Sequence, residues 1–387
     1  MQALALYLIS VSLDLYRLGS FQPALDHFER WVLRPIGLWS LVFVANDTNT
    51  AINAFPWEVL VHASTRLLGE TPLAVRLPSA LICALSPLLL AQLVRRLFRQ
   101  DIAFAAGLLL ACSHYQLVFA RSGGYVGVTL TVLLGIFLSS VLVLNGRRLA
   151  WVPLTALVVL MPYFYSPIRY VSLLAFPAIA HKLAVSREFR RRHVWCAAAS
   201  ALVVCLCYLP DVLGFGGVPQ AAVNFYEARG EQLLFVRGTW SSEVRGQWII
   251  RLRELSEYYV SGRGHRFFGW RHGDLAVRRM FLVLLGLGWA RSLAAAWRSP
   301  RYLLAPLWSL WTCLPLLATT GISPNRLFLS LPADIFLMTL GAITPSDFIA
   351  RLLPKRLRWF CYLPFAAIVV WASVQGVRCY FDLWVGW

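Results

Sequence analysis

The feature that most restricts this chain is a recurring run of 17 to 20 residues with hardly a charge. That is the length an α-helix needs to cross a hydrocarbon core of roughly 30 Å. Composition agrees: 59% of the 387 residues are hydrophobic and 14% are charged, against about 25% charged in soluble domains. Lipid cannot satisfy open backbone groups, and no ten-residue alternating strand pattern occurs, so the spans are helices. The pattern predicts an all-α polytopic membrane protein with about eleven transmembrane helices. They fall at 1–18, 77–94, 102–120, 126–144, 149–165, 168–184, 194–212, 276–294, 302–319, 327–343 and 359–379. The start, "MQALALYLISVSLDLYRL", lacks a basic n-region and a small-residue cleavage site, and reads as a retained anchor.

Charge sets the expected orientation. One alternate set of loops holds 17 basic residues against Asp101, Glu188 and Asp347 alone. They run from Arg95, Arg96 and Arg99 through the Lys182–Arg192 stretch to Arg351, Lys355, Arg356 and Arg358. The positive-inside bias makes that set cytoplasmic. The N-terminus is then cytoplasmic and the C-terminus extracytoplasmic. The same bias accounts for the net charge of +18. No basic face with interleaved aromatics lies outside the spans, so a nucleic-acid partner is not expected. The eight cysteines fall mostly in apolar spans and form no CxxC pair, so they read as small core- or lipid-facing residues.

Two long outer loops, about 19–76 and 213–275, are where function can reside. Five of the eighteen acids crowd the first: Asp26, Glu29, Asp47, Glu58 and Glu70. The second holds "WIIRLRELSEYY", in which Trp248, Leu252, Leu255 and Tyr259 recur at helical spacing between charges, an amphipathic interfacial helix. With no repeat or soluble segment visible, 1–387 reads as a single integral-membrane domain.

Several stretches, in order, resemble one family. "LLGETPLAVRLPSALICAL" (67–85), "LLLACSHYQLVFARSGG" (108–124), "YFYSPIRYVSLLAFP" (163–177), "PNRLFLSLPA" (324–333) and "YFDLW" (380–384) are similar to motifs of the bacterial GT-C glycosyltransferases. These are lipid-carrier-dependent enzymes related to protein O-mannosyltransferases and aminoarabinose transferases. The resemblance implies a GT-C-like helical bundle and transfer of a sugar from a polyprenyl-phosphate carrier on the outer face. It implies no obligatory metal and no cofactor. Such chemistry needs a carboxylate base for the acceptor and cations, best arginines, for the departing phosphate. Asp26, Glu29 and Asp47 are the candidate carboxylates. Arg76, Arg121, Arg169 and Arg326, at outer span ends where positive-inside bias makes them less expected, are the candidate phosphate ligands.

Each candidate has a plainer reading. Asp47 lies in "ANDTNT", a pattern typical of a turn or helix cap. The arginines can snorkel to headgroups. His62 and His114 read as interior histidines. Gly123-Gly124 reads as a tight turn rather than a phosphate cradle. The family pattern Pro-x-Leu-x-x-Asp-Glu-Ala aligns with Pro23–Arg30, which puts Glu29 on the Glu and Phe28 on the catalytic Asp. Phe accepts no proton. The family also continues beyond its last span, whereas this sequence ends at Trp387. These departures support an alternative: a catalytically inactive GT-C-derived structural subunit, packed with other membrane protein subunits. A transporter fits less well, because most spans carry no buried ionisable residue.

Overall fold

The computed structural model describes residues 2–19, 55–161, 164, 167–212, 250, 253, 275–317 and 328–384. Helix α1 (Gln2–Leu15) opens the chain. Helix α2 (Phe55–Leu68) lies inside the segment read from sequence as an outer loop, 19–76. Its Trp57, Val61 and Thr65 recur at four-residue spacing and are all buried, where α2 packs on α3 (Pro72–Cys83). Between the two, Gly69 takes φ +79° and Thr71 caps α3, its Oγ1 accepting from the Ala74 N–H at 3.2 Å. Pro72 then suits the first helical position, so α3 begins before the expected residue 77. With α4 (Leu85–Leu97) it forms one span candidate, Pro72–Leu97.

The expected span 102–120 is two helices, α5 (Ala103–Ala111) and α6 (His114–Arg121), bent by 54°. Ser113 explains the break. Its Oγ accepts from the Gln116 N–H at 3.2 Å and starts a new helix. The last helix, α15 (Leu363–Trp384), crosses there so closely that a Cβ on Gly376 would overlap the Cys112 carbonyl. Gly123, in the left-handed region at φ +67°, turns the chain into the next helix, as the Gly-Gly pair suggests.

Helix α7 (Tyr125–Leu144) is apolar all round, and 83% of its apolar window is buried inside the protein. That is the signature of a central helix. Around it lie α8 (Trp151–Leu160), α9 (Pro167–Ser172) and α10 (Pro177–Val185), and α11 (Arg187–Val212) packs on α8 and α10. The expected span 168–184 is thus divided between α9 and α10, with a 3₁₀ turn, Leu173–Ala175, before Pro177. Helices α12 (Leu275–Ala296), α13 (Leu304–Leu317) and α14 (Leu331–Leu352) follow, and a 3₁₀ helix, Lys355–Tyr362, leads into α15. The most extensive helix contact among the described elements is α12 on α14. Gly288 and Gly341 allow it: a Cβ on either would overlap the Leu337 or Leu284 carbonyl oxygen. Small residues at such crossings let backbones approach in a bilayer.

No strand occurs among the described residues. Among the described residues four helical segments, α3–α4 counted as one, are long and apolar enough to cross a membrane, five if bent α5–α6 is one span. The chain is an all-α multi-pass membrane protein. The amphipathic helix expected at 248–259 lies outside the described residues except for Ile250 and Arg253, both helical. Cys83, Cys112 and Cys361 are buried among helices, while Cys205 and Cys207 face outward.

At the end of the bundle where α4, α12 and α14 finish, Asp347 pairs with Arg99 and Arg291 and accepts from the Tyr362 hydroxyl at 3.2 Å. Arg99 also grips Asp101, its Nε donating at 2.9 Å. Glu188 pairs with Arg192 at 2.7 Å. All three acids expected among the basic loops are therefore matched to cations.

Candidate functional site

Two of the four arginines singled out by sequence converge at the opposite end, around the end of α1. Helix α1 leaves its last carbonyls without intrahelical partners, as every helix does. Arg76, one turn into α3 and 1% exposed, donates from a terminal guanidinium nitrogen to the Leu18 carbonyl at 3.2 Å. Arg121, the last residue of α6 and wholly buried, donates to the Leu13 carbonyl at 2.8 Å and the Asp14 carbonyl at 3.2 Å. Its Nε donates to the Tyr380 hydroxyl at 2.8 Å. The same guanidinium lies 5.3 Å and 5.5 Å from the Tyr380 and Phe381 ring centres, within reach of cation–π attraction.

Buried cations are costly unless hydrogen-bonded, and Arg is suited to the task because its planar fork carries five donors. The two guanidiniums bind α1, α3, α6 and α15 into one end-piece. Between them Arg17 takes φ +51°, a left-handed backbone that disfavours a side chain by roughly 1–2 kcal/mol. Asp26 follows eight residues after Leu18 in the sequence.

Asp14, Tyr380 and Ser10 belong to the same cluster, and sequence reasoning passed over them. Asp14 is 1% exposed and Ser10 lies one turn before it, their side-chain oxygens 3.5 Å apart. The signal was present: an acid within an apolar span is a functional candidate by default. His114, read as an interior histidine, is buried with its ring centre 5.9 Å from that of Tyr380.

Arg169 lies on α9, and its backbone alone is described. Asp26, Glu29, Asp47, Phe28 and Arg326 lie outside the described residues. Among the described residues no three His, Cys, Asp or Glu side chains group as metal ligands.

Residues 55–210, which include α2, both buried arginines and the bend, match the family model "Dolichyl-phosphate-mannose-protein mannosyltransferase". The fold is similar to that of ArnT from Cupriavidus metallidurans bound to undecaprenyl phosphate, with a TM-score of 0.56 and 16% identity. That match covers 99% of this chain and 71% of ArnT. It is similar too to the apo Archaeoglobus fulgidus oligosaccharyltransferase, with a TM-score of 0.57 and 13% identity over 97% of this chain. AglB from the same archaeon, in complex with an inhibitory peptide and a dolichol-phosphate, matches at 0.54 and 13%, again over 97%. The chain spans only 55% of each of these archaeal proteins. No curated protein sequence matches the chain.

The class defined by the bundle is the multi-pass membrane protein. Within that class the chain has the GT-C fold, the one its motifs resemble.

Proposed function

We propose that the chain is a GT-C glycosyltransferase that moves a sugar from a polyprenyl-phosphate carrier to an acceptor on the extracytoplasmic face of a bacterial inner membrane. One observation carries this reading: along 99% of its length the chain is similar in fold to an ArnT that binds undecaprenyl phosphate. The bundle end held by Arg76 and Arg121 is the outer end. The Arg99–Asp347 end, with its basic loops, is cytoplasmic, and so is the N-terminus, while the C-terminus is outside.

In this reading Asp26 or Glu29 takes the proton from the acceptor hydroxyl or amine as it attacks the anomeric carbon. Asp47 is the further carboxylate of the same segment. The carrier phosphate leaves toward arginine, and Arg169 and Arg326 are the ligands for it. Arg76 and Arg121, put forward from sequence for the same task, act from behind. Their hydrogen bonds to Leu18, Leu13 and Asp14 carbonyls fix where the acid-rich segment starts. The whole of 1–387 acts as one integral-membrane domain.

The second reading, an inactive subunit of a membrane complex, rests on Phe28 in the register of the family's catalytic Asp. Undecaprenyl phosphate added to the purified chain separates the steps. Retained carrier, weakened by Arg169→Gln and Arg326→Gln, supports the carrier site. Loss of sugar transfer in both Asp26→Asn and Glu29→Gln, with carrier still bound, supports the base. Carrier binding without transfer by the unsubstituted chain removes the transferase and leaves the inactive subunit, and absence of carrier binding sinks the transferase reading.

A further inference from the structure

We propose that the connector between α14 and α15 is a docking surface for anionic phospholipid headgroups in the leaflet at the Arg99 end. The connector is a 3₁₀ helix of eight residues, Lys355–Tyr362, longer than the usual three or four. In such a helix side chains three apart eclipse one another, so the sequence sorts into rows. Leu357 and Phe360 form an apolar row that Leu363 continues, and Lys355 and Arg358 a basic one.

Cys361 and Tyr362 hold the connector against the bundle: Cys361 is buried, and the Tyr362 hydroxyl donates to Asp347. The Arg358 Nε donates to the Leu353 carbonyl at 3.3 Å while the rest of that side chain stays exposed. The remainder faces outward. Arg351, Lys355, Arg356 and Arg358 are all exposed, and beside them Leu352 is 71% and Trp359 58% exposed. The Trp359 and Phe360 rings stack with centres 3.6 Å apart, forming one flat apolar wedge.

Charge identifies the occupant. From Phe348 to Phe381 the sequence contains no carboxylate, and the acid just before it, Asp347, is bound to Arg99 and Arg291. Four cations with no acid among them, set beside exposed aromatic and aliphatic side chains at the mouth of a span, match a layer of phosphate groups over acyl chains. Clustered Lys and Arg at a span end attract anionic lipid, and Trp prefers the headgroup depth. A protein partner would need compensating acids on a shaped surface. A lipid leaflet supplies both parts without shape.

The test uses the full chain in detergent, titrated with phosphatidylglycerol or phosphatidylcholine and read by native mass spectrometry. Phosphatidylglycerol is expected to be retained preferentially, and the preference to fall as salt rises. Replacing Lys355, Arg356 and Arg358 by Gln should weaken that retention by roughly fivefold for each charge removed. Arg356→Lys with Arg358→Lys keeps the charge and should keep the preference, which separates charge from misfolding. Arg187→Gln with Arg191→Gln, in another basic loop, should leave the connector's share of binding unchanged. Three results overturn the proposal: equal retention of the two lipids, an undiminished preference in the triple variant, or competition by millimolar inorganic phosphate.

Discussion

Arg121 and Tyr380 meet across 259 residues, the guanidinium Nε donating to the phenol oxygen at 2.8 Å with both side chains wholly buried. One is the last residue of α6 and the other lies near the end of α15, and between them they hold the end of α1. This bond ties α6 to α15 where both hold the end of α1.

Tyr380→Phe should therefore destabilise the protein while changing little else. It removes an acceptor from a buried cation, a loss of about 1.5–3 kcal/mol for a hydrogen bond to a charged group. Chemical unfolding in detergent reads it as a lowered midpoint. An unchanged midpoint means that the tie contributes nothing.

The crossing of α12 and α14 gives a second expectation. Gly288→Ala and Gly341→Ala should each cost at least about 1–3 kcal/mol, the range for overpacking, because the added carbon meets backbone rather than a movable side chain. Gly286→Ala, with open space at its Cβ position, should be neutral or stabilising by up to about 1 kcal/mol through helix propensity. Equal effects at the three positions contradict the close approach.

Asp347 and Glu188 make a paired comparison. Asp347 has a side chain 13% exposed and serves two arginines and Tyr362, so Asp347→Asn should cost about 2–4 kcal/mol. Glu188 is 75% exposed in its pair with Arg192, and Glu188→Gln should fall within about 0.5 kcal/mol of the unsubstituted chain. Burial opposes the charge on Arg99, but its hydrogen bonds to Asp101 and Asp347 outweigh this and raise its pKa above the ordinary value. A raised pKa contributes stability that is complete below the unfolded value and lost only above it. Melting temperature should thus show no loss from Arg99 between about pH 7 and 10.

Phe28→Asp tests the register of the acid-rich segment. If the GT-C base belongs at that position, restoring it should raise sugar transfer, since a positioned base is worth about 10²–10⁴-fold. The gain should persist in the double variant with Asp26→Asn. A variant that binds carrier but transfers no faster removes residue 28 from the chemistry.

Much of the architecture was legible in the sequence, because the forces that set it are local. An apolar stretch long enough to cross lipid forms a helix wherever it occurs, and α7 falls within a residue or two of 126–144. The bend at Ser113 was harder to read. A serine in an apolar run is common, and the close pass of Gly376 at the same break, 263 residues later by number, is not visible in the local sequence. Helix α2 was hidden for a related reason: its buried Trp57, Val61 and Thr65 make sense only against α3.

The candidate site divides in the same way. Arg76 and Arg121 stood out as cations in the wrong place for loop charge. Their hydrogen-bond partners did not, since Leu13, Asp14 and Leu18 offer backbone carbonyls that any sequence would offer. The sequence by itself determined that the chain is helical, membrane-spanning and basic at one set of loops, because hydropathy and charge act residue by residue against lipid and water. Only the tertiary structure decided that two arginines, a tyrosine and the end of the first helix share one buried cluster. A buried cation takes whichever acceptors folding brings to it, and those lie 58 to 259 residues away.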